Sequence, residues 1–111
     1  MIKILIKPLS VNDCWQGRRL KTNKYKIYEV ELLYKKLPNT FIIPDGELEF
    51  IIEVGFSNRA SDIDNICKPI LDILQKKYHF NDNKIYRIIM TKKIVKKTQE
   101  YIKFDIKKYN Q

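Results

Sequence analysis

Apolar and polar residues alternate at the start of the chain, where Ile2, Ile4 and Ile6 are interleaved with Lys3, Leu5 and Lys7. A period of two is the pattern of a strand with one buried face, and Pro8 ends it. The polar stretch from Ser10 to Lys21, with Trp15, Gly17, Arg18 and Arg19, reads as a loop. From Tyr25 to Leu37 two periods compete. Tyr25, Ile27, Val30 and Leu32 could be forced into a strand, whereas Val30, Leu33, Tyr34 and Leu37 keep helical spacing. A helix is expected, because the segment exceeds a usual strand, Glu31 precedes Lys35 in the favourable i, i+4 order, and Pro38-Asn39 supplies a stop. The turn Pro44-Asp45-Gly46 then opens a strand. In it Leu48, Phe50, Ile52, Val54 and Phe56 face one side and Glu47, Glu49 and Glu53 the other.

A second helix is expected from about Asp64 to Lys77, with Ile66, Ile70, Ile73 and Leu74 as its apolar stripe. Pro69 has no N–H for the carbonyl four residues back, so the first turn should be distorted or begin late. Residues Ile85 to Lys92 and Tyr101 to Lys107 read as two further strands, with Lys92 to Lys97 spanning a hairpin between them. The order β-α-β-α-β-β predicts an α+β fold, one domain over residues 1–111, with two helices packed on a mixed sheet.

Composition adds a partner. The chain has 111 residues and 22 Lys and Arg against 13 Asp and Glu, a net charge of +9. That excess points to a polyanion. No apolar run approaches the ~18 residues of a membrane span, and no basic amphipathic anchor stands out, so nucleic acid is favoured over a membrane. The N-terminus is too short and too alternating for a signal peptide, which makes the cytoplasm the expected location. Cys14 and Cys67 form neither a disulfide framework nor a zinc spacing, and His79 is the only histidine. Both thiols are expected to be free and reduced.

The candidate chemistry is acidic. Asp62 and Asp64 flank Ile63, so in an extended segment their carboxylates project to the same side. Lys68 and Asp72 follow Asp64 at i+4 and i+8, along one helix face. Two carboxylates about 5 Å apart at an effective dielectric near 20 repel by roughly 3 kcal/mol. An oxygen-loving dication offsets that repulsion, and Mg²⁺ is commonly held by carboxylates and substrate phosphates together. A plainer account exists. Asp62 or Asp64 would serve as a helix N-cap, and Asp64, Lys68 and Asp72 as an exposed ion-pair ladder worth tenths of a kcal/mol. Spacing alone favours the plainer account.

The run Asp62-Ile63-Asp64-Asn65-Ile66-Cys67-Lys68-Pro69-Ile70-Leu71-Asp72-Ile73-Leu74, followed by Asn81-Asp82 and Ile85, resembles the signature of the RusA family of Holliday junction resolvases. Pro8-Leu9-Ser10-Val11-Asn12-Asp13-Cys14-Trp15 resembles the family's N-terminal segment, and the likeness runs from Pro8 to about Lys93. The resemblance implies a homodimeric, Mg²⁺-dependent endonuclease that cuts four-way DNA junctions by paired, symmetric hydrolysis in recombination and repair. The metal-binding aspartates carry over onto Asp62, Asp64 and Asp82, and the catalytic lysine onto Lys68. One departure stands out, since the family commonly has two adjacent aspartates where this chain reads Asn81-Asp82-Asn83. Placing Asp82 at the site requires the preceding turn to be one residue shorter, and an ungapped reading would put Asn83 there.

Asn12, Trp15, Arg18, Arg19, Asn65, Lys96 and Lys97 are candidates for DNA contact. Trp15 and the two arginines have the chemistry for stacking and phosphate binding, and the lysines lie in a basic turn. Two other classes remain open on sequence. One is a non-catalytic junction-binding protein on the same scaffold, and the other is an interaction protein whose charge serves solubility.

Overall fold

The computed structural model describes residues 1–17 and 20–110. Its order is β1 (Ile2–Leu5), β2 (Trp15–Gln16), β3 (Leu20–Lys21), α1 (Asn23–Val30), β4 (Leu48–Phe56), α2 (Asp64–Tyr78), β5 (Ile85–Ile94) and β6 (Tyr101–Lys108). The expected α+β class holds. Four strands form a mixed sheet in the order β1-β6-β4-β5, and β2 and β3 form a separate ribbon. Strand β4 is central, antiparallel to β6 and parallel to β5.

Five elements differ in detail from the expectation. The Ser10 to Lys21 loop contains a 3-10 turn at Val11–Asp13, and the β2–β3 ribbon follows it. The Ser10 hydroxyl caps the turn by accepting from the Asn12 N–H at 3.2 Å, and Gly17 supplies the positive φ of +65° that reverses the chain. The helix expected over Tyr25 to Leu37 begins earlier, at Asn23, because the Thr22 hydroxyl accepts from the Tyr25 N–H. It loosens into a π-helical turn at Glu31–Lys36 and stops before Leu37, which is extended at φ −75°, ψ 138°. Pro38 demands that geometry of its predecessor.

Helix α2 begins at Asp64, neither late nor broken by Pro69. The proline sits in its second turn with its ring buried, so burial offsets the loss of one backbone bond. The hairpin expected at Lys92 to Lys97 is not there. Lys92, Lys93 and Ile94 belong to β5, and β4 separates β5 from β6. The connection instead crosses the end of β4, where the Val95 N–H donates to the Phe56 carbonyl at 2.7 Å. In β1 only Ile4 is buried, with Ile2 and Ile6 packed at the core margin.

The core lies between the sheet and the helices. Leu48, Phe50, Ile52, Val54 and Phe56 meet Ile102, Phe104 and Ile106 of β6 and Ile66, Ile70, Ile73 and Leu74 of α2. On the opposite sheet face a Cβ at position 55 would collide with the Tyr101 ring, which explains a glycine within a central strand. Glu49, on that face, is buried between Arg87 at 3.2 Å and Lys107 at 3.6 Å. Among the described residues, no helix is long and apolar enough to cross a membrane. Both cysteines are free, and burial pushes their thiols up to about 11, so both are protonated at neutral pH.

Candidate active site

The parallel β4-α2-β5 unit sets the site. In such a unit the strand C-termini and the helix N-terminus lie at one end, where ligands of open α/β sheets bind. Here a cavity of about 300 Å³ opens between Lys7, Ser57, Asn58, Asp62, Asn65 and Glu100, among others. Asn65 and Asp62 therefore share a wall. Glu100 accepts from the Ser57 hydroxyl at 3.3 Å, and backbone N–H groups, chiefly its own, hold its carboxyl below the usual range. The loop leading to α2 is tied down by Lys92, whose ammonium donates to the carbonyls of Arg59 at 2.7 Å and Ser61 at 2.5 Å.

Neither aspartate at the start of α2 is used as a cap. The N-cap residue is Ile63, with no side-chain cap bond, and Asp64 is the first helical residue. Both carboxylates are left exposed. The ion-pair ladder is half present: Lys68 Nζ lies 2.9 Å from Asp72 Oδ1, and among the described residues no Asp64–Lys68 pair forms.

Lys68 has a second partner that the ladder does not supply. Its ammonium is 3.7 Å from Asp82 Oδ2. The hydrogen bond to Asp72 raises the Lys68 pKa above its ordinary value; partial burial opposes it, and the negative charges of Asp72 and Asp82 add to the rise. Lys68 is thus a fixed cation at neutral pH, suited to supporting negative charge and unsuited to removing a proton.

The position of Asp82 depends on Gln75, a residue sequence reading did not single out. The Gln75 amide donates from Nε2 to the Leu71 carbonyl at 3.2 Å and accepts at Oε1 from the Asp82 N–H at 2.8 Å. Both ends of the amide are used, so the turn after α2 folds back along the helix. The signal was its place three residues beyond Asp72, on the same helix face. Asn81 caps the following turn by accepting from the Asn83 N–H at 2.9 Å. His79 closes α2 in the left-handed conformation at φ 57° and is exposed.

The other candidates are dispersed. Asn12 is exposed on the 3-10 turn. Trp15 is 42% exposed and meets Tyr25 edge-on at 5.7 Å. Arg18 and Arg19 lie outside the described residues. Lys96 and Lys97 are exposed in the connection crossing the β4 end, and Lys97 lines a depression with Lys7 and Glu100. Lys7 and Glu100 also border the Asp62 cavity, so the basic connection adjoins the acidic helix start. Among the described residues, no three His, Cys, Asp or Glu side chains converge on one point.

Carboxylates grouped with a lysine on a strongly basic chain are the side-chain set of a phosphodiester-cleaving protein. The chain belongs to the RusA family: the family model described as endodeoxyribonuclease RusA matches residues 12–105. It is by family a nuclease acting on DNA. The match starts four residues after Pro8 and continues beyond Lys93 into β6. No curated protein matches the chain.

Proposed function

We propose that this protein is a Mg²⁺-dependent resolvase of four-way DNA junctions, working in recombination and repair as a homodimer that makes paired, symmetric phosphodiester cuts. The whole chain, residues 1–111, acts as one RusA-like domain in the cytoplasm. The contact between Lys68 and Asp82 carries the reading, because it joins the two sequence motifs that the family likeness treats as one site.

The three carboxylates have the oxygen chemistry a hard dication takes, although among the described residues they do not converge on one point. Asp62 and Asp64 are exposed carboxylates free of capping bonds, and among the described residues the one ion pair of Asp82 is with the exposed Lys68 ammonium. These three would hold Mg²⁺, which when bound supplies charge neutralisation at the scissile phosphate and a more acidic water. The chain's own residues do the rest. Lys68, held by Asp72, offers a cation to the charge that develops on the phosphoryl oxygens. Gln75 keeps Asp82 against the helix. Asn12, Trp15, Arg18, Arg19, Asn65, Lys96 and Lys97 are proposed to hold the DNA arms, chiefly through phosphates.

The test is cleavage of a labelled four-way junction with and without Mg²⁺, beside a linear duplex of the same sequence. Resolution into two nicked duplexes only with the metal is expected. Binding without cleavage under any divalent metal would replace the reading with a junction-binding protein, and equal cutting of the duplex would remove the junction specificity.

A further inference from the structure

Helix α2 starts without help from its own side chains. Its N-cap position is Ile63, with no side-chain cap bond, so the acids on either side of it stay free and the entry into the helix has to be fixed from elsewhere. The preceding loop does part of this. Asn58 Oδ1 accepts from the Ala60 N–H at 2.8 Å, and the Asn58 carbonyl accepts from the Ser61 N–H at 3.3 Å. Both bonds stay inside the loop.

The tie to the sheet is Lys92. This residue lies beside Val54 in the parallel register of β4 and β5, and Val54 belongs to the core, so Lys92 rises on the helix side of the sheet. Its ammonium donates to the carbonyls of Arg59 at 2.7 Å and Ser61 at 2.5 Å and stands 5.6 Å from the centre of the Phe56 ring. A lysine ammonium has three donors, so one group gathers two carbonyls that are two residues apart in the chain. Phe56, Ser61 and Asp62 all line the cavity at the strand ends.

We propose that Lys92 is a positioning residue: by holding the Arg59 and Ser61 carbonyls it sets where Asp62 stands on the cavity wall, and its role is in cleavage rather than in DNA binding. The proposal rests on the nuclease reading and adds a residue outside both the aspartate motif and the proposed DNA contacts. Geometry at a reacting centre is demanding, since a shift of about 1 Å can cost about 100-fold in rate. Affinity spread over many phosphates is not.

Lys93 separates the tether from the charge. It is the next residue of β5, exposed like Lys92, and lies beside Gly55 on the other face of the sheet. Losing either lysine removes one positive charge, but only the loss of Lys92 releases the loop. Lys92→Met should lower single-turnover cleavage of a four-way junction about tenfold or more, with junction affinity within about twofold of that of Lys93→Met. Lys92→Arg, which keeps a charged donor, should recover most of the lost rate.

Limited trypsin digestion reads the tether without any cleavage of DNA. Arg59 is exposed, and the carbonyl that trypsin must attack at the Arg59–Ala60 bond is the one Lys92 holds. Timed by mass spectrometry against the other Lys and Arg bonds, so that global unfolding is recognised, that bond should be cut at least about fivefold faster in Lys92→Met than in the parent or in Lys93→Met. Equal digestion of the three chains, or a Lys92→Met chain that cuts junctions at the parent rate, would overturn the proposal. A loss of affinity in Lys92→Met beyond that in Lys93→Met, without faster digestion, would make Lys92 a DNA contact instead. A parent chain that cuts no junction would remove the nuclease reading, and the positioning role with it, even where digestion shows the tether.

Discussion

Asp82 Oδ2 lies 3.7 Å from Lys68 Nζ across a helix end and a turn. Both side chains are substantially exposed, at 42% and 61%, so the pair contributes at most about 1 kcal/mol to stability. Its weakness as a stabilising contact makes its placement informative. Asp72 and Gln75 hold the two partners where they are.

Replacing Lys68 by Ala should lower junction cleavage about 100-fold or more, in line with the loss of one fixed charge at a transition state. Asp72→Asn keeps the lysine but weakens its anchor, and a loss of about tenfold in kcat with unchanged junction affinity is expected. Single-turnover cleavage beside a gel-shift titration separates the two. A Lys68→Ala chain that cuts normally would remove this residue from the site.

Asp82 and Asn83 can be set against each other. Asp82 turns toward Lys68, while Asn83 is exposed and its N–H is taken by Asn81. Asp82→Asn should abolish cleavage, and Asn83→Asp should change it less than about threefold. The reverse result in the same assay would assign the site to position 83.

Asp64→Asn removes a charge that DNA phosphates and Asp62 both oppose. Ile63 is helical rather than extended and both carboxylates are exposed, so water screens their repulsion and the relief is about 1 kcal/mol or less. The variant should bind junction DNA as tightly as the parent or more tightly, and should not cut it. Weaker binding, measured by fluorescence anisotropy at fixed salt, would show that Asp64 supports the DNA contact in another way.

Stability should depend on pH through Glu29. This buried carboxylate on α1 takes Lys21 at 2.7 Å and Lys76 of α2 at 2.5 Å. Burial alone would raise its pKa, but the two lysines prevail and hold it below the ordinary value; Lys76 is raised in turn, chiefly by the hydrogen bond to Glu29. A depressed carboxylate stabilises the fold above its unfolded pKa of about 4.3, and the gain is lost as pH falls through the folded value. Glu29→Gln should cost about 1–2 kcal/mol at pH 7, less than a fully buried pair because the lysines retain water. Urea melts at pH 7 and below pH 3 check this, with the difference between parent and variant vanishing in acid.

Much of the fold followed from local pattern. The apolar residues at every second position from Leu48 to Phe56 and the stripe of Ile66, Ile70, Ile73 and Leu74 define the central strand and its covering helix, because each period admits one buried face. The family was legible too, in the motif that runs from Asp62 to Leu74 and on to Asp82, since motif residues keep their order along the chain. Sequence could not tell that Lys92 to Lys97 is no hairpin. Adjacent strands in a chain usually pair, and only the competition for both edges of β4 places β5 on one side and β6 on the other. Nor could it place Asp82, whose approach to Lys68 depends on a single amide at Gln75 reaching a turn seven residues away. Local spacing determined which residues could act; the packing of α2 against β4, and the turn folded back beneath it, decided which of them meet.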